Sequence, residues 1–168
     1  LWIPLAATAA PQGWTALLEP AQLANILAAT PEVRILQVTG DYEEGHIPGA
    51  ISAPYAQFRG PRENPGAVSS IETLTTIVQS LGLNADTPVV VVHGGSNAAD
   101  FGAAARVYWT LKSLGIKDLA LLNGGFNAWS SANLPVSTQT HRVAASSFQP
   151  QWSDQYRVRT EEVEELVM

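Results

Sequence analysis

Four β-branched residues in a row, Val89-Val90-Val91-Val92, constrain this chain more than any other feature. A strand with one wet face alternates apolar and polar side chains. An unbroken apolar run is buried on both faces, as in a parallel sheet covered by helices. The flanking sequence supplies the other parts. Leu17-Leu18-Glu19-Pro20 reads as a short strand closing at a proline that suits the first turn of a helix. Leu23, Ile26 and Leu27 then repeat at helical spacing. Residues 33–38 read as a strand, 50–53 as a brief extended piece, and 60–66, with two prolines and two glycines, as irregular. Ser70 and Glu72 open a second helix with apolar Ile71, Leu74, Ile77, Val78 and Leu81, and Gly82 fits its stop. A third helix is expected from about residue 103 to 114, ended by Gly115. Residues 119–122 form another strand, Asn123-Gly124-Gly125 a tight turn, and residues 126–130 a short helix. Strands alternating with helices predict an α/β fold, a largely parallel sheet with helices on both faces.

At 168 residues and 46% hydrophobic, the chain is one domain, or one domain with a short appendage. Nine Lys and Arg are scattered and outnumbered by fifteen Asp and Glu, which argues against nucleic acid and anionic membranes as partners. No apolar run approaches the roughly 20 residues that span a bilayer. There is no cysteine, which excludes disulfides, thiolate metal sites and a cysteine nucleophile within the chain. Residues 1–10, LWIPLAATAA, lack a basic start and are not an intact signal peptide. A first residue other than Met and the lack of cysteine tilt the reading toward periplasm over cytoplasm, without deciding the compartment.

The segment His93-Gly94-Gly95-Ser96-Asn97-Ala98-Ala99-Asp100-Phe101-Gly102 follows the buried strand and precedes a helix, the carboxyl edge where α/β sheets bind ligands. Helix N-terminal N–H groups there are placed to hold a small anion weakly. Arg106, one turn into the helix, is placed to reach that anion, or to pair with Asp100. Gly94-Gly95-Ser96-Asn97-Ala98 also approaches a G-x-S-x-G nucleophile elbow around Ser96, the pattern of a serine hydrolase. The chain is short for that fold, and the one histidine after the serine, His141, falls in a presumed linker. Dinucleotide and P-loop fingerprints are missing, and no cofactor is expected. The polar loop of residues 41–50 holds Asp41, Glu43, Glu44 and His46 at spacings that match no common zinc pattern; it reads as a structural turn, with no metal site.

Beyond Pro135 the pattern changes. Residues 137–156 are polar with little periodicity and read as a linker. Residues 158–167 then align without gaps on residues 18–27, an offset of 140, with Leu18/Val158, Leu23/Val163, Ile26/Leu166 and Leu27/Val167 coinciding. Thr160 falls where Pro20 starts its helix and is a good N-cap. The division is therefore a domain over 1–136, a linker over 137–156, and over 157–168 the start of a second domain, cut off.

Four stretches together resemble the rhodanese (sulfurtransferase) family: ILQV running into GHIPGAISAP, VVVVHGG, AARVYWTLKSLG and LALLNGGFNAW. The resemblance covers roughly residues 16–135 and implies a five-stranded, mostly parallel sheet. It also implies a cysteine directly after the central strand, its thiolate held by convergent backbone N–H groups. Here that position is His93 or Gly94, and the family's early-strand Asp and Arg are replaced by Gln37 and Thr39. No catalytic residue is thus expected; His93, Gly94, Gly95, Ser96, Asn97, Asp100 and Gly102 form a degenerate active loop, longer than the usual one, with Arg106 as an anion contact. The pattern is similar to the non-catalytic first half of tandem thiosulfate or 3-mercaptopyruvate sulfurtransferases. On that reading the chain is inactive alone, and its partner is a cysteine-bearing C-terminal domain, in the same protein or as a separate fragment. Alternatives are a stand-alone module that binds or regulates through an anion or protein partner, and the serine hydrolase.

Overall fold

The computed structural model describes residues 9–167. Most of the stretch read as lacking an intact signal peptide, and Met168, therefore lie outside the described residues. Five strands, β1 (Leu17–Leu18), β2 (Arg34–Gln37), β3 (Ile51–Ser52), β4 (Val89–Val92) and β5 (Leu119–Leu122), form one sheet in the order β1-β5-β4-β2-β3. Every neighbouring pair is parallel. The helices are α1 (Pro20–Ala29), α2 (Ile71–Ser80), α3 (Ala98–Ser113), α4 (Gly125–Ser131) and α5 (Thr160–Val167).

The valine run is the central strand, and its alternation divides the core in two. Val89 and Val91 pack with Leu74 and Val78 of α2 and with Ala104, Val107 and Leu111 of α3. Val90 and Val92 pack with Leu23 and Ile26 of α1 and Trp129 of α4. All four valines are completely buried, and burying such a side chain stabilises by roughly 1.5–3 kcal/mol. Ala103 and Ala104, both buried, bring the α3 backbone close to the sheet.

One helix differs from the sequence reading. Helix α3 begins at Ala98 rather than near residue 103, so the connection from β4 is five residues. The Asn97 side chain accepts the Asp100 N–H at 3.0 Å and caps the helix there. Gly102 disguised this start; a Cβ at that position would meet nothing within 4 Å, so the helix runs through it. Trp109, within that helix, is only half-buried; its indole Nε1 donates to the Tyr156 carbonyl at 2.8 Å.

That contact belongs to a strap. Residues 137–156 have the irregular backbone of a linker apart from one 3-10 turn (Asp154–Tyr156). They are nonetheless fastened to the domain. Val143, Phe148 and Trp152 pack against the α2/α3 side of the core. Ser137 and His46 exchange backbone hydrogen bonds at 2.9 Å, Ser146 N–H donates to Gln79 O at 2.9 Å, and Ser153 N–H donates to Ser113 O at 2.8 Å. Trp152 meets Trp109 edge to face at 5.3 Å. Beyond the strap, α5 buries no residue, and Leu166 and Val167 are 85% and 80% exposed.

Candidate functional site

Residues 93–97 leave the carboxyl end of β4, and three neighbouring segments fix their path. On the β5 side, Phe126 N–H donates to His93 O at 2.8 Å and Asn127 N–H to Gly94 O at 2.9 Å. This clamp needs glycine. Gly95, Gly124 and Gly125 all have positive φ, and a Cβ on Gly125 would lie 2.3 Å from His93 O. On the β2 side, Gly40 lies against Gly94, where an added Cβ would sit 3.1 Å from the Gly94 Cα. Thr39 Oγ accepts the Gly94 N–H at 3.0 Å. The third segment is α3, whose first turn carries Asp100.

Asp100 is the centre of the arrangement. Its Oδ2 accepts the N–H of Gly95 at 2.7 Å and of Ser96 at 3.0 Å. Its Oδ1 accepts the Thr39 hydroxyl. His93 Nδ1 is 3.5 Å from Oδ2. Burial pushes this carboxyl's pKa up, but the Thr39, Ser96 and Gly95 hydrogen bonds and the nearby His93 together outweigh it, and the group titrates below the usual aspartate range. His93 itself is buried against the edge of Phe101, ring centroids 5.4 Å apart, and neither ring nitrogen has a hydrogen-bond partner. Gln37, at the end of β2, is equally buried with both amide atoms unpartnered.

The structure thus brings His93, Gly94, Gly95, Ser96, Asn97 and Asp100 together, with Gly102 two residues further along α3. It does not bring Arg106 to them. The Arg106 guanidinium donates to Gly66 O and Ala67 O at 3.0 and 3.1 Å and lies 4.9 Å over the Trp109 ring, so it meets neither an anion at the loop nor Asp100. Ser96 is exposed, and among the described residues its hydroxyl has no hydrogen-bond partner. His141 lines a different cleft, with Ser52, Ser80 and Leu81, and is not within a hydrogen bond of Ser96. His46 of the polar turn is fully buried, stacked on Tyr42, with its ring nitrogens 2.7 and 2.9 Å from the carbonyls of Tyr42 and Gln139; it anchors the strap. Among the described residues no group of three or more His, Asp or Glu is arranged to hold a metal ion.

Gly40, Gly124 and Gly125 are the site residues that reading the sequence missed, and Thr39, noted there only as a replaced family position, joins them. Paired glycines in both loops, Gly94-Gly95 and Gly124-Gly125, were the available signal that two backbones meet here. Chemically, the arrangement gathers donors onto one negative charge but offers no thiol.

Comparison with known proteins gives a consistent result. The family described as Rhodanese-like domain matches residues 19–132. A Synechococcus elongatus protein named "Putative thiosulfate sulfurtransferase" is 31% identical over 164 residues, spanning 95% of this chain and 50% of that protein. The 3-mercaptopyruvate sulfurtransferase of Rattus norvegicus is 32% identical over 108 residues, 58% of this chain and 33% of that protein. The chain therefore spans half or less of these relatives' length. Among solved structures, SseA from Escherichia coli, a 3-mercaptopyruvate sulfotransferase, superposes with a TM-score of 0.74 over 90% of this chain and 61% of that one; at 20% identity this is a likeness of fold.

Proposed function

We propose, for a chain that belongs to the rhodanese-like domain family and is homologous to thiosulfate and 3-mercaptopyruvate sulfurtransferases, that it is the non-catalytic domain of such an enzyme. The observation that carries this is the lack of any cysteine. Sulfur transfer in the family passes through a cysteine persulfide, and the loop that would hold it instead wraps the Asp100 carboxylate, which reaches back from the first turn of α3. The domain's role is then to pack against a cysteine-bearing C-terminal domain and form one wall of the sulfur-transfer site.

Two features support a second domain following this one. The chain matches half or less of its relatives' length. The start of α5 also repeats the start of α1. In α1 the Glu19 N–H donates to Gln22 Oε1 at 3.3 Å, and Leu23 N–H to Glu19 O at 2.9 Å. In α5, 140 residues on, Arg159 N–H donates to Glu162 Oε2 at 2.7 Å, and Val163 N–H to Arg159 O at 3.1 Å. Thr160 is thus the first helical residue, like Pro20, and not the cap. Its four Glu favour the helix dipole, while exposed Val163, Leu166 and Val167 await a core.

The test uses the product of the whole reading frame. Incubated with thiosulfate and digested, it should show one added sulfur atom on a cysteine downstream of residue 168 and none within residues 1–168. A reading frame that ends at Met168, or sulfur carried on this chain, would overturn the proposal.

A further inference from the structure

We infer that the loop of residues 93–97 is an anion site filled from within: the Asp100 carboxylate is its resident ligand and keeps small oxyanions out. The inference concerns the loop itself and does not depend on a second domain.

Three donors define the cradle, the N–H groups of Gly95 and Ser96 on Oδ2 and the Thr39 hydroxyl on Oδ1. They come from two separate parts of the chain and converge at the N-terminus of a sixteen-residue helix, where the dipole also favours negative charge. The pattern is more than helix capping. In a capping box the acidic side chain at the third helical position takes the N–H of the cap residue. Asp100 holds that position behind the cap Asn97, yet it takes the N–H groups of the two residues before Asn97. The carboxylate is folded back into the loop.

His93 is the independent observation. It is 4% exposed, and both ring nitrogens lack hydrogen-bond partners. A buried polar atom left unpaired is unfavourable. Its Nδ1 faces the one charged group at hand, 3.5 Å from Asp100 Oδ2. Donors, dipole and ring therefore address one point, and a side chain tethered by a single helical turn occupies it. An external oxyanion would have to displace that carboxylate, lose the benefit of its tether, and approach like charge. A weak anion site, expected from the sequence, is thus closed in this chain, and Asp100 is the residue that closes it.

Sulfate at constant ionic strength and neutral pH, followed by amide NMR, tests this. In the wild type, Gly95 and Ser96 should show no saturable shifts. In Asp100→Ala they should shift saturably, with binding at least about tenfold tighter than any wild-type response. If Asp100→Ala does not give a folded spectrum, Asp100→Asn, which keeps the shape and removes the charge, is titrated in its place with the same expectation. Saturable sulfate binding at these amides in the wild type would overturn the inference. So would a folded Asp100 variant that binds sulfate no better than the wild type. Either failure leaves the non-catalytic reading intact, because that reading is tested by sulfur transfer.

Discussion

One carboxylate at position 100 collects the Gly95 and Ser96 amides and the Thr39 hydroxyl, so neutralising it removes charge-assisted hydrogen bonds. Asp100→Asn should destabilise the domain by about 1–3 kcal/mol at neutral pH, as for hydrogen bonds to charged groups. The pH dependence follows from the lowered pKa. A depressed carboxyl contributes stability that is present above its unfolded pKa and lost as pH falls through the folded one. Denaturant midpoints of wild type and Asp100→Asn should therefore differ constantly above about pH 5 and converge below about pH 4, the ordinary aspartate range. A difference that persists unchanged into acid would assign the effect to shape. At this scale the sequence showed where the loop is but not what fills it. Thr39 and Asp100 meet across 61 positions, and no local pattern encodes that meeting. The sequence reading counts Asp100 as part of the loop, because Gly102 conceals that it already stands on the helix.

Elements were legible in proportion to their periodicity. The valine run marked β4, and Ile71, Leu74, Ile77 and Val78 marked α2. The strap was not legible, because Val143, Phe148 and Trp152 are spaced five and four apart in a segment with no period of its own. Its order comes from distant partners, such as Gln79 Nε2 donating to Phe148 O at 2.9 Å. The strap and α5 should therefore behave differently when removed. Deleting residues 158–168 takes away a helix with no buried residue and should cost within about 1 kcal/mol. Ending the chain at residue 140 also removes Val143, Phe148 and Trp152, which pack partly buried against the core, and should cost roughly 3 kcal/mol or more. Denaturant unfolding of the two truncations checks this; equal midpoints would contradict the strap's place in the domain, and a large loss from the first would make α5 integral to it.

For the whole molecule, an all-parallel sheet with covered faces places the loop after β4 at the edge where this architecture binds ligands. The fold is that of the sulfurtransferases it resembles, and the proposed difference in chemistry lies at one loop. On the proposed reading, fold and function separate here in a way a sequence can show, because a missing residue type is legible without any structure. The most direct test of that reading is thiocyanate release from thiosulfate and cyanide by purified residues 1–168. A rate indistinguishable from buffer is expected, while turnover on the order of 1 s⁻¹ or faster would overturn the reading.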